Sequence, residues 1–213
     1  MIQTIEYSYT QNFKGWFITP DKPGRVPVII YNYDQAFDWL GEKAAKKQGY
    51  DVKEIMRTMA RRGYAVFVPV ERYRKILAIK GAVEFLKKQS QIDLTQLHVL
   101  GVSEGAFLSL LALSDLNTSV RSLTAISPTP LNDTGHFSLS ELILHADAIQ
   151  CPVLIITGKW ERKWTKHRVA VVKQILEEHN IDVEFEEYPV DKEAFWKADT
   201  EYMTRAYDFM GGH

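Results

Sequence analysis

The sequence predicts an α/β fold: a mostly parallel sheet of about seven or eight strands with helices on both faces. Two observations predict it. Short apolar, β-branched runs alternate with longer segments of helical period, the order that parallel strands and crossover helices require. In addition, Leu97-His98-Val99-Leu100 runs straight into Gly101-Val102-Ser103-Glu104-Gly105 and then into the apolar segment 106–111. That is a strand–turn–helix unit with a serine at the turn.

Elements follow in chain order. Ile2–Thr10 and Gly15–Ile18 read as a leading antiparallel pair, closed by Pro20-Asp21-Lys22-Pro23-Gly24. The central strands are Val26–Tyr31, Ala65–Pro69, Leu97–Gly101, Ser122–Ile126, Val153–Thr157 and Val183–Tyr188. Asp51-Val52-Lys53-Glu54 fits a capping box, behind which Ile55, Met56, Met59 and Ala60 form one face. Gly63 stops that helix. Ile76, Leu77, Ile79, Ala82, Val83, Phe85 and Leu86 recur at helical spacing, which predicts a helix over Tyr73–Lys88. Thr165–Glu178 and Ala198–Met210 are the last two helices. Ser127–Gly135, followed by Leu139–Leu144, has no clear period. It is a candidate lid or an ordinary surface excursion. Without repeats or linkers, residues 1–213 read as one domain.

Composition narrows the function classes. A chain of 213 residues with 46% hydrophobic and 25% charged residues is ordinary globular material. Its net charge of -1, with both signs interspersed, argues against nucleic acid as a partner. No apolar run approaches the roughly 20 residues that span a bilayer, so no membrane role is expected. The N-terminus lacks a secretory pattern and Cys151 is the sole cysteine, so a cytoplasmic location is expected, a removed leader apart. Carboxylates without a spaced histidine pair make no metal signature, and no cofactor is expected. The expected partner is a small-molecule substrate or ligand; monomer and homodimer are both open.

In the Gly101–Gly105 turn the glycines leave room for strand to pack on helix. The serine oxygen stands over a helix N-terminus, where backbone N–H groups favour a developing anion. Together with Val26–Tyr31, Arg62–Pro69 and Ile149–Gly158, these residues resemble the dienelactone-hydrolase-like branch of the α/β hydrolases. The resemblance covers about nine tenths of the chain. It implies an α/β-hydrolase fold with a small cap or none. The activity it implies is that of a serine hydrolase acting on an ester, lactone or related acyl substrate, with Ser103 as nucleophile.

Carried over by position, the family's acid falls on Glu161, three residues past Gly158. The family's histidine follows a Tyr-Pro pair and precedes an aromatic residue by two. Tyr188, Pro189 and Phe195 match, and the histidine position holds Glu193. No histidine lies between Asn180 and Gly212. A general base works best with a pKa near the operating pH, and an ordinary glutamate near 4.3 is a poor acceptor. Two converging carboxylates could raise one of them.

Among other histidines, His136 could reach Ser103 if the 127–144 segment folds over it; a solvent-facing loop histidine is the alternative. His98, roughly 16 Å back along its strand, reads as a core or sheet-edge residue. His179 closes a helix, His167 lies early in one, and His145 has no evident route to the site. Backbone N–H groups of Asp34 or Gln35, with that of Glu104, are the candidate oxyanion hole.

Asp34, Glu71, Glu104, Glu161 and Glu193 all fall at predicted strand ends or in the elbow, with Arg72, Arg74, Lys159 and Arg162 nearby. They read either as a charged pocket walled by Trp39, Trp160, Trp164, Tyr33 and Trp196, or as solvated loops with local ion pairs. Two functions remain in play: a serine hydrolase with an atypical base, and a catalytically inactive hydrolase-fold protein that binds a ligand or partner.

Overall fold

The structure, a computed structural model, describes residues 1–71, 74–116, 118–132, 134 and 137–213. Eight strands form: β1 (Gln3–Ser8), β2 (Asn12–Ile18), β3 (Val26–Asn32), β4 (Ala65–Val70), β5 (Ile92–Val102), β6 (Ser122–Ile126), β7 (Val153–Gly158) and β8 (Val183–Tyr188). They make one sheet in the order β1-β2-β4-β3-β5-β6-β7-β8. β1, β2 and β4 pair antiparallel, and every pairing from β4 through β3 to β8 is parallel. Every expected strand is present.

Period-two alternation explains why both faces are covered. In β3, Val28 and Ile30 join the core on one face, while Ile29 and Tyr31 join the other. Phe67 and Val68 of β4, and Ile155 and Ile156 of β7, split the same way. One face is packed by α4 (Lys75–Leu86), α5 (Glu104–Leu113), α6 (Leu139–His145) and α7 (Lys163–Glu178). The other is packed by α1 (Ala36–Leu40), α2 (Glu42–Lys47), α3 (Val52–Arg61) and α8 (Glu201–Gly212).

Half of the expected α3 capping box forms: the Glu54 N–H donates to Asp51 Oδ1 at 3.1 Å, while the Glu54 carboxylate turns outward to Arg57 and Arg61. The helix expected from Tyr73 begins at Lys75 among the described residues. Helices α1, α2 and α6 were not anticipated. α6 starts where Ser138 Oγ accepts the Glu141 N–H, and the Glu141 carboxylate reaches back to the N–H of Phe137, the residue before the cap. No helix among the described residues is long and apolar enough to cross a membrane.

Two features of the sheet place the site. Asn32, Gly101, Ala125, Ile155 and Phe185 lie in register across five parallel strands, so the loops that follow share one edge. From β3 the chain goes to β4 on one side and then to β5 on the other. The loops after β3 and β5 therefore flank a topological switch point, where open sheets of this kind bind ligands.

Candidate active site

Between the end of β5 at Val102 and the start of α5 at Glu104 a single residue reverses the chain. Ser103 does so at φ 56° and ψ −121°, a conformation that costs an L-residue about 1–3 kcal/mol. Close packing holds it there. A Cβ on Gly101 would lie 2.4 Å from Ala106 Cα, and one on Gly105 would lie 2.4 Å from the Asn32 carbonyl oxygen. The Ser103 N–H donates to Ile126 O at 2.7 Å, and its carbonyl accepts the Thr129 N–H at 3.2 Å. The side chain is 6% exposed, makes no hydrogen bond to a described residue, and lines a cleft of about 410 Å³.

Glu161 and Glu193 line the same cleft. Glu161 is buried; its Oε1 accepts from Ser127 Oγ and from the Gly158 N–H at 3.2 Å. Ser127 itself sits at φ 45°, with its N–H on Ile156 O at 2.7 Å. The ends of β5, β6 and β7 are thus stapled together, with Ser103, Ser127 and Glu161 at the staples. Glu193 is exposed, on the short 3₁₀ helix Lys192–Trp196 whose cap is Asp191. Ser127 and Thr129 carry no motif, and nothing in the sequence singled them out. The described start of the 127–144 segment is docked rather than loose: Thr129 lines the cleft, and Arg168 donates to Pro130 O at 2.9 Å.

No histidine among the described residues lines the cleft, and His136 lies outside the described residues. His145 and His167 are exposed on α6 and α7, while His179 caps α7 with Nδ1 2.6 Å from Asp147. His98 is buried in β5 with Nδ1 2.8 Å from Ser122 Oγ, a structural position. Burial, then Arg121 and His213, push its pKa from 6.5 down to about 4. The fold therefore keeps the imidazole neutral while the unfolded chain protonates it. The resulting stability is complete above about pH 6.5 and disappears as pH falls toward about 4, amounting to about 3 kcal/mol. Urea denaturation at both ends of that window is expected to show a smaller acid loss in His98→Gln than in the unsubstituted chain. Equal losses would remove His98 as the cause.

The oxyanion expectation needs one correction. The Asp34 N–H donates to Tyr50 Oη at 2.8 Å, so of the two candidates after β3 only Gln35 keeps its amide available. The Asp34 carboxylate is turned into the protein: Oδ1 accepts the Ala36 N–H at 2.9 Å, and Oδ2 accepts Trp196 Nε1 at 3.4 Å. Trp196 stacks on Tyr50 with ring centroids 5.1 Å apart, which ties the Glu193 loop to the turn after β3. Beneath that turn Tyr33 Oη donates to Asp38 at 2.8 Å, and Lys75 Nζ lies 3.6 Å from the Tyr33 ring centroid.

Of the expected walls, Trp160 and Trp164 line the cleft, whereas Tyr33 and Trp196 are core residues and Trp39 stands exposed elsewhere. The carboxylate ring also resolves into parts. Asp34 and Glu104 are buried, Glu71 is not in the cleft wall, and Arg72 lies outside the described residues. Arg162 lines the cleft; Lys159 and Arg74 do not.

No protein-family model and no curated protein matches this chain in sequence. Solved structures do. A putative dienelactone hydrolase from Klebsiella pneumoniae superposes with a TM-score of 0.75 at 16% identity, over 99% of this chain and 97% of that one. An esterase from Pyrococcus furiosus gives 0.75 at 16% identity over 99% and 91%. An acylaminoacyl peptidase from Pyrococcus horikoshii gives 0.71 at 15% identity over 99% of this chain, which spans only 41% of the peptidase. The sheet order, the serine at the strand–helix turn and these superpositions together establish that the chain has the α/β-hydrolase fold.

Proposed function

We propose that this chain is a small serine hydrolase acting on an ester, lactone or related acyl substrate, with Ser103 as nucleophile. One observation carries the reading: a nine-tenths buried serine held at φ 56° between a strand and a helix, lining a cleft. The amides of Gln35 and Glu104 form the oxyanion hole in this reading. Glu161 is the acid-position carboxylate, and Glu193 is the base. Resemblance to proteins named as esterases and dienelactone hydrolase supports the reaction class.

The chemistry of such a site is acyl transfer. Glu193 takes the Ser103 proton as the oxygen attacks the carbonyl, and the two amides hold the resulting oxyanion. The base then returns the proton to the leaving group, and water repeats the sequence on the acyl-enzyme. A fluorophosphonate probe is expected to label the protein and to leave Ser103→Ala unlabelled. Absence of labelling, with no turnover of p-nitrophenyl acetate above background, would sink the hydrolase reading.

A second reading is favoured by one observation: a carboxylate stands where the family has its histidine, and it is exposed. That is the state of a hydrolase-fold protein that keeps its cleft for a ligand and has lost its base.

A further inference from the structure

The cleft at Ser103 is walled by features that catalysis alone does not call for. Trp160 is 70% exposed at its mouth and Trp164 52%. Leaving large apolar rings in water is unfavourable unless a ligand covers them. The Trp160 ring makes no aromatic or cation contact with any described residue. Trp164 has the protein's own Arg168 guanidinium 5.7 Å from its centroid, so a cation–indole contact already exists beside the cleft.

Charge points the same way. The described lining carries three carboxylates, Glu161, Asp191 and Glu193, against one guanidinium, Arg162. The N-terminus of α7 adds about half a positive charge, which leaves the lining net negative. Ser103, a nine-tenths buried polar side chain with no described partner, lines the same cleft.

We propose that the cleft binds molecules carrying an alkylammonium group, the ammonium seated on the Trp160 ring with Asp191 and Glu193 as its counter-charges. Resting on the hydrolase reading, the substrates are then acyl esters of amino alcohols or of comparable cationic alcohols. A ligand of this class gains from the aromatic face and the carboxylates together, whereas an uncharged isostere gains only from the ring.

The test uses the full chain and two probes of equal shape, choline and uncharged 3,3-dimethyl-1-butanol, titrated at constant ionic strength with tryptophan fluorescence as readout. Choline is expected to bind saturably and about tenfold more tightly than the alcohol. Trp160→Leu is expected to abolish the preference, Trp160→Phe to keep part of it, and Glu193→Gln to weaken choline about threefold. Equal binding of the two probes, no binding, or an unchanged preference in a folded Trp160→Leu protein would overturn the proposal. The acetate esters of both alcohols separate it from the hydrolase reading. Choline binding with neither ester hydrolysed leaves the cation site standing and defeats the hydrolase. Hydrolysis of both esters at equal kcat/KM, without choline binding, does the reverse.

Discussion

Replacing Glu193 with histidine is expected to raise Ser103-dependent hydrolysis of p-nitrophenyl acetate by about a hundredfold, with Glu193→Gln falling below the unsubstituted protein. The reason lies in where the three side chains stand. Ser103, Glu161 and residue 193 line one cleft, and the 3₁₀ helix carrying Glu193 is anchored through Trp196 to Asp34 and Tyr50. An imidazole there would share the cleft with Ser103 and Glu161, and its ordinary pKa is near 6.5. The rate is expected to climb with pH through that value as the imidazole becomes neutral and able to accept the serine proton. Glu161→Gln in the histidine background is expected to remove most of the gain, because the acid then no longer stabilises the imidazolium. Two competing bonds limit the effect: Glu161 Oε1 already accepts from Ser127 Oγ and from the Gly158 N–H. Ser127→Ala is therefore expected to improve the histidine variant further. A folded Glu193→His protein with no increase in rate would show that residue 193 does not address Ser103.

The contrast between what the sequence revealed and what it hid follows from the range of the forces involved. Each strand was legible because its signal is local: Val28, Ile29, Ile30 and Tyr31 are apolar on both faces, as a strand covered twice must be. The elbow was legible because a reversal within one residue demands glycine at fixed offsets, and Gly101 and Gly105 are there. α6 was readable in principle from Ser138 and Glu141, but it follows a stretch broken by Pro128, Pro130 and Gly135 that masks its start. α1 and α2 are only five and six residues long and meet at Gly41, too short for either to show a helical period. The contacts that decide the site are of another kind. Tyr50 occupying the Asp34 amide, or Ser127 bonding Glu161, joins residues 16 and 34 positions apart by partners with no characteristic spacing. Sequence period carries no information about them. Tyr33 and Trp196 illustrate the same limit: an aromatic residue next to a strand end is equally compatible with a cleft wall and with the core, and here the core took both.

Lys75→Met is expected to destabilise the fold by about 3–5 kcal/mol in urea denaturation, and Lys75→Met with Asp38→Leu to recover most of that loss. Lys75 is the first residue of α4, where the helix dipole disfavours a cation, so helix stability does not account for it. It is 4% exposed, with Nζ 3.4 Å from Asp38 Oδ2 and over the Tyr33 ring. Burial lowers its pKa, and the charges of Asp38 and Glu104 oppose that shift. Methionine fills much of the same volume but leaves the largely covered Asp38 carboxylate, 11% exposed, without its counter-ion, which is the costly half of breaking such a pair. Removing both charges at once avoids that cost, so the single and double variants must differ if the pair is coupled. The site has a stake in the outcome. Tyr33 and Asp38 bracket the turn that presents Gln35, and Tyr33 Oη is bonded to Asp38. Loss of Lys75 is thus expected to lower kcat more than it raises KM in the Glu193→His background, since an oxyanion amide acts on the transition state rather than on bound substrate. Equal destabilisation of the single and double variants would show that Lys75 acts through its packing alone.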